Sequence, residues 1–164
     1  MKILYYGGQK SGKSNLAEQK AKSISNDAQP YYIATYDNSY GDHEMQTRIS
    51  KHQTQREQHF ITIEEPRDLN TVIKDGNTYL IDCMSMWILN TLEVDEKALK
   101  EELEALCLKN ADIVFVLNDV NSGVIPLDAT SRKYVDRSGI IGQKLAKLCD
   151  EVYEVKLGLE IKLK

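Results

Sequence analysis

The sequence predicts an α/β fold, a mainly parallel sheet with helices on both faces and an antiparallel hairpin at its carboxyl end. Three observations predict it. Short apolar runs rich in branched and aromatic residues alternate with amphipathic stretches along the 164 residues. The first run passes straight into a glycine-rich turn and then into a stretch of helix formers. The last two runs stand so close together that they can pair as neighbours.

Each element follows from its residues. Lys2-Ile3-Leu4-Tyr5-Tyr6 reads as a buried strand. The helix after it runs to Ile24, with Leu16, Ala17, the stem of Lys20, Ala21 and Ile24 on one face. Asn26 to Pro30 is a turn cluster, Tyr31 to Thr35 a second buried strand, and Tyr36 to Gly41 a loop. Asp42 caps a helix from about His43 to Gln55, with Met45 and Ile49 on one face and Arg48, His52 and Arg56 on another. Phe60 to Ile63 is a short strand, followed by a brief helix from about Pro66 to Ile73 and a turn at Lys74-Asp75-Gly76-Asn77. Thr78 to Asp82 is a strand that stays apolar until its last residue, and a helix around Met84 to Leu92 follows. Glu96 to Leu108 is an amphipathic helix with Leu99, Leu103, Leu106 and Cys107 facing inward. Asp112 to Leu117 is a strand that ends at Asn118-Asp119, and a loop to Pro126 leads to a long helix from about Asp128 to Cys149. Glu151 to Val155 and Leu159 to Leu163 are strands joined at Gly158.

The length fits one domain spanning residues 1–164. Hydrophobic residues at 41% and charged residues at 28% are those of an ordinary soluble protein. A net charge of −4 argues against general nucleic-acid binding, which calls for a basic face. Cys83, Cys107 and Cys149 show no Cys-x-x-Cys spacing and read as reduced, mostly buried thiols. No apolar run reaches membrane-spanning length and the apolar start leads into a glycine loop, so a cytoplasmic protein is expected.

Gly7-Gly8-Gln9-Lys10-Ser11-Gly12-Lys13-Ser14 fits G-x-x-x-x-G-K-[ST], the phosphate-binding P-loop. The glycines let the backbone curl so that successive amides can face phosphate oxygens, and the helix that follows adds its positive end. Lys13 supplies a charge to the β and γ phosphates, and the Ser14 hydroxyl can ligate Mg²⁺. Strand, glycine loop and helix together predict a P-loop NTPase fold. In such proteins an acid at the end of a neighbouring strand serves the metal, and Asp82 stands in that place. Asp82 could also cap the helix near Met84, and both roles are compatible, but the P-loop creates the need for a metal ligand and puts that role first. The polar stretch around Arg48, His52 and Arg56 leaves two readings open. A polar helix is usually a solvated face, yet two guanidiniums beside an imidazole could hold phosphates and attack one.

The chain resembles the adenosylcobinamide kinase/adenosylcobinamide-phosphate guanylyltransferase family over almost its whole length. The resemblance rests on the glycine loop, on Tyr32-Ile33-Ala34-Thr35, and on Glu44-Met45 followed by Arg48-Ile49, His52 and Arg56. It continues through Thr62-Ile63-Glu64-Glu65-Pro66, Leu80-Ile81-Asp82-Cys83 with Trp87 and Asn90, and Asn118-Asp119-Val120 with Gly123 and Pro126. Asp136, Gly139, Gln143 and Asp150-Glu151-Val152 complete it. It implies a cobalamin-pathway transferase that moves the γ-phosphate of a nucleoside triphosphate to the aminopropanol hydroxyl of adenosylcobinamide. It also implies GMP transfer from GTP, through a GMP–histidine at His52, to adenosylcobinamide phosphate. ATP and GTP are then substrates, Mg²⁺ the cofactor, and a homo-oligomer, a trimer in the family, the assembly. Besides Gly7, Gly8, Gln9, Lys10, Ser11, Gly12, Lys13, Ser14 and Asp82, the resemblance implies nucleotide contacts at Ala34, Thr35, Tyr36, Arg48, Gln53, Thr54, Gln55, Arg56 and Glu64. Glu64 taken alone reads as a surface acid before Pro66. The chain departs from the family pattern at Lys10, Phe60, Asp119, Asn121 and Gly142, mostly in the carboxyl-terminal half, where the departures bear on corrinoid recognition or on one of the two activities. Two alternatives stand beside this reading: a small-molecule kinase of the same fold without guanylyl transfer, and a non-catalytic nucleotide-binding module.

Overall fold

A computed structural model describes residues 1–26, 28–37 and 59–164. The strands among them are β1 (Lys2–Gly7), β2 (Tyr31–Ala34), β3 (Ile61–Glu64), β4 (Thr78–Asp82), β5 (Asp112–Asn118), β6 (Glu151–Lys156) and β7 (Leu159–Lys162). They lie in one sheet in the order β3-β2-β4-β5-β1-β6-β7. Every neighbouring pair is parallel except β6 and β7, which form the expected hairpin. The described helices are α1 (Lys13–Ile24), α2 (Leu69–Val72), α3 (Met84–Asn90), α4 (Glu96–Leu108) and α5 (Ala129–Leu148).

The two-residue period of the strands sorts the core onto two faces. Val114 and Val116 of β5 pack with Ile3, Tyr5, Leu80 and the small residues Ala17 and Ala21 of α1. Ile113, Phe115 and Leu117 of the same strand turn the other way, toward Trp87 and Ile88 of α3, Leu103 of α4 and Ile141 and Leu145 of α5. Helices therefore cover both faces, as the alternating pattern predicts. Burial of each such aliphatic side chain contributes about 1.5–3 kcal/mol. Stacked tyrosines extend the side-to-side order, Tyr5 on Tyr153 at 5.0 Å and Tyr31 on Tyr79 at 5.1 Å between ring centres.

Most boundaries fall where the residue pattern puts them, and the exceptions have local causes. The helix expected from Pro66 is shorter and begins at Leu69. The Pro66 and Arg67 carbonyls instead accept hydrogen bonds from the side chains of Asn90 (2.9 Å) and Trp87 (2.8 Å). The helix expected to reach Leu92 ends at Asn90, where the Thr91 hydroxyl donates to the Trp87 carbonyl at 2.7 Å. Asp82 is not the cap of α3. Cys83 holds that place and makes no side-chain cap. The long helix expected from about Asp128 begins at Ala129, with Asp128 as its cap, accepting from the Ser131 amide at 2.8 Å. The helix expected from about His43 to Gln55 lies outside the described residues.

The register sets the functional rim. Gly7 pairs with Asn118, Asp82 with Val116 and with Ala34, and Ala34 with Glu64. Parallel pairing thus brings the carboxyl ends of β1, β2, β3, β4 and β5 to one side of the sheet. Open α/β sheets bind ligands at that side.

Candidate nucleotide-binding site

The glycine loop fills the step from β1 to α1. Gly7 ends the strand against β6, where an added Cβ would lie 2.4 Å from the Val155 carbonyl oxygen. Gly12 has φ 97°, a left-handed conformation that glycine alone adopts at little cost. An added Cβ there would also come within 3.1 Å of the Gly158 Cα. Between them the Ser11 amide donates to the Gly8 carbonyl at 3.2 Å, and Lys10 takes a positive φ of 56°. The Ser11 carbonyl accepts from the Gly158 amide at 2.8 Å, so the turn of the terminal hairpin braces the loop from behind.

Helix α1 starts at Lys13 with no side-chain cap on its first amides and no acid in its first turn. Those amides and the helix dipole favour an anion. The Lys13 ammonium donates to the Gly8 carbonyl at 3.1 Å and is only 6% exposed. Burial lowers its pKa, and the nearby Asp82 carboxylate opposes that shift. The Ser11 hydroxyl is buried beside Gly7, with no hydrogen-bond partner among the described residues. A phosphate oxygen is the kind of acceptor such a group lacks.

Asp82 closes the site from β4. The Ser14 hydroxyl donates to its Oδ1 at 3.5 Å, and the Tyr32 hydroxyl reaches its Oδ2 at 3.3 Å. One hydroxyl and one carboxylate are hard oxygen donors of the kind Mg²⁺ takes. Among the described residues no three His, Cys, Asp or Glu side chains cluster. A pair of protein oxygens fits Mg²⁺, which completes its shell with waters and substrate phosphates.

A second group of contacts ties the neighbouring loops to this rim. Thr35 is fully buried, accepts from the Cys83 amide at 3.1 Å and donates to the Cys83 carbonyl at 2.7 Å. Asn90 donates to the carbonyls of Thr35 (2.7 Å) and Pro66 (2.9 Å), joining the segment after β2 to the one after β3. Beside β1, the Asp119 amide donates to the Gly7 carbonyl at 2.8 Å. Partial burial would raise the Asp119 pKa, but hydrogen bonds from Tyr6, Ser122 and Asn121 hold its carboxyl below the usual range.

The structure therefore brings together Gly7, Gly8, Ser11, Gly12, Lys13, Ser14 and Asp82, with Gln9 and Lys10 at the exposed tip of the loop. Ala34, Thr35 and Tyr36 lie at the end of β2 beside Asp82, and Glu64 is at the exposed end of β3, one strand further out. Arg48, His52, Gln53, Thr54, Gln55 and Arg56 lie outside the described residues. Spacing offers no signal for the roles of Tyr32 and Gly158, because each depends on which strands become neighbours. The three cysteines are free, and burial raises the pKa of all three thiols, Cys83 and Cys107 to about 11.

Known proteins match this chain from end to end. The cobinamide kinase / cobinamide phosphate guanyltransferase family matches residues 3–163. A bifunctional adenosylcobalamin biosynthesis protein, CobP, of Pseudomonas aeruginosa is 38% identical over 173 residues, covering 100% of this chain and 98% of its own. Similar proteins named CobU from Escherichia coli and Salmonella typhimurium are 31% and 33% identical, each alignment covering both chains fully. Among solved structures, a KaiC-like protein of Pyrococcus horikoshii is similar at a TM-score of 0.48 and 11% identity, over 93% of this chain and 69% of its own. At that distance it adds nothing to what the topology shows. With a P-loop on its first strand and a family match spanning nearly every residue, the chain belongs to the cobinamide kinase / cobinamide phosphate guanyltransferase family and is a transferase of that class.

Proposed function

We propose that this chain catalyses two transfers at phosphorus from one nucleotide site. In the kinase reaction the hydroxyl on the aminopropanol arm of adenosylcobinamide attacks the γ-phosphorus of ATP or GTP. The hydroxyl gives up its proton and a nucleoside diphosphate leaves. In the guanylyl reaction an imidazole nitrogen of His52 attacks the α-phosphorus of GTP, a nitrogen–phosphorus bond forms, and pyrophosphate leaves. A phosphate oxygen of adenosylcobinamide phosphate then displaces the imidazole, giving adenosylcobinamide-GDP. A neutral imidazole is a good nucleophile near pH 7, and the phosphoramidate it forms is labile enough to pass its group on.

The division of labour follows from residue chemistry. Lys13 and the amides of the loop grip the triphosphate, and Arg48 and Arg56 neutralise charge as it develops near the α-phosphorus. Ala34, Thr35, Tyr36, Gln53, Thr54, Gln55 and Glu64 complete the nucleotide contacts. Ser14 and Asp82 would hold Mg²⁺, which when bound supplies charge neutralisation on the phosphates. The proposal includes a single nucleotide-binding domain over residues 1–164, a homo-oligomer (a trimer by family resemblance) and a cytoplasmic setting. No helix among the described residues is long and apolar enough to cross a membrane.

The observation that carries this reading is the Gly7–Ser14 loop meeting Asp82 at 3.5 Å on the rim of a sheet whose chain matches the family over residues 3–163. Incubation with GTP labelled at the α-phosphorus tests it. Wild type should retain acid-labile covalent label, and His52→Ala should retain none while still binding GTP. A wild-type protein that binds GTP and takes up no label would leave only the kinase.

A further inference from the structure

The segment between β5 and α5 is held in place yet presents apolar side chains to water. Its first residue, Asp119, is bonded through its amide to Gly7 of the phosphate loop at 2.8 Å. The Asp119 carboxylate accepts from the amides of Asn121 (3.0 Å) and Ser122 (3.2 Å). The Asn121 side chain donates to the Val135 carbonyl at 2.8 Å, and it can approach α5 because residue 139 is glycine, where a Cβ would sit 3.0 Å from it. Arg132 donates to the Pro126 carbonyl at 3.1 Å and also to that of Leu127. On this fastened loop Val124 is 95%, Ile125 76% and Leu127 98% exposed. Adjacent apolar side chains held out on a braced loop mark a surface built to be covered.

Beside them lies a recess of about 120 Å³, lined among others by Val120, Asn121, Ile125, Val135 and Asp136. Small-molecule sites usually enclose about 300–1,000 Å³, so this recess takes a side arm and not a whole large ligand. Its chemistry is apolar walls with one carboxamide, one carboxylate and the nearby Arg132. Asp136 at the recess disfavours a triphosphate there. A neutral molecule with an apolar body and amide arms suits it: amide N–H groups can donate to Asp136 and an amide oxygen can accept from Asn121 or Arg132.

We propose that this surface seats the acceptor of the transfer reactions. One carboxamide arm of the corrinoid enters the recess, and the methyl-bearing edge of its ring lies on Val124, Ile125 and Leu127. The inference rests on the function proposed above. It adds the place of the acceptor, on a segment whose first residue, Asp119, makes a backbone contact to the phosphate loop. A corrinoid seated there keeps its hydroxyl arm free to reach along the rim toward the triphosphate.

Equilibrium dialysis of the full chain against cobinamide, followed by the absorbance of its ring, tests the assignment. Val124→Asp/Ile125→Asp should weaken cobinamide binding at least 10-fold, and Asp136→Ala severalfold, while GTP affinity and α-label uptake stay at wild-type values. Both changes are at exposed positions, so folding should survive them. Wild-type binding with unchanged affinity in the variants would overturn the seat and leave the proposed function standing. Failure of wild type to bind cobinamide would overturn both. If only the double variant loses binding, and sedimentation shows that it has also changed its oligomeric state, the apolar surface belongs between copies of the chain and the assignment falls.

Discussion

Glu102 and Asn70 show how one residue sets a pH dependence far from the phosphate loop. Glu102 lies on α4 against α2, where the Asn70 amide donates to its backbone carbonyl at 3.1 Å. Its carboxyl oxygen Oε1 and the Asn70 Oδ1 are both buried without a hydrogen-bond partner among the described residues. Burial, and then the charge of Asp68, push the Glu102 pKa up from 4.5 to about 7. The folded state therefore holds a proton there that the unfolded chain has released. That contribution to stability is full below about pH 4.5 and is lost as pH rises through about 7. Urea unfolding at pH 5 and pH 8 should show this decline in wild type and a flatter profile in Glu102→Gln. With solvent screening allowed for, the variant should gain on the order of 1 kcal/mol over wild type at pH 8. Gly7 makes a steric point at the same scale. Gly7→Ala must move either β6 or the loop away from the 2.4 Å clash and should cost about 1–3 kcal/mol in the same unfolding assay.

At the scale of elements, the loops after β2 and β3 act as one piece because Asn90 of α3 bonds both. Asn90→Ala leaves the buried carbonyls of Thr35 and Pro66 short of a donor, and should cost about 2 kcal/mol in urea unfolding. GTP affinity should fall severalfold in a titration, since the nucleotide contacts proposed above for Thr35 and for Glu64, which ends β3, adjoin those loops. These elements also show what the residue order could tell. β1, β4 and α4 were legible because their apolar spacing is regular, and the structure adds a cap to α4 at Asp95, which accepts from the Lys97 and Ala98 amides. α2 was legible only as a helix and not in its extent. What shortens it is a pair of side chains, Trp87 and Asn90, that lie later in the chain and reach back to the Arg67 and Pro66 carbonyls. Local spacing carries no trace of such bonds.

At the scale of the whole molecule, segments far apart in the chain meet at the phosphate loop. The Gly-x-x-x-x-Gly-Lys-Ser spacing was readable at once because each residue has a separate physical role with phosphate. Asp82 was readable because the strand before it is apolar to its last residue. The order of the strands was not readable, and on that order depend the Tyr32–Asp82 contact, the row of carboxyl ends from Glu64 to Asn118, and the support that Gly158 gives Ser11. That last contact bears on how the protein is made. A ribosome synthesises Ser11 well before Gly158, so the loop is made long before its brace. A nascent chain thus carries the motif long before it can hold it in shape, and a firm hold on nucleotide waits until Gly158 is in place.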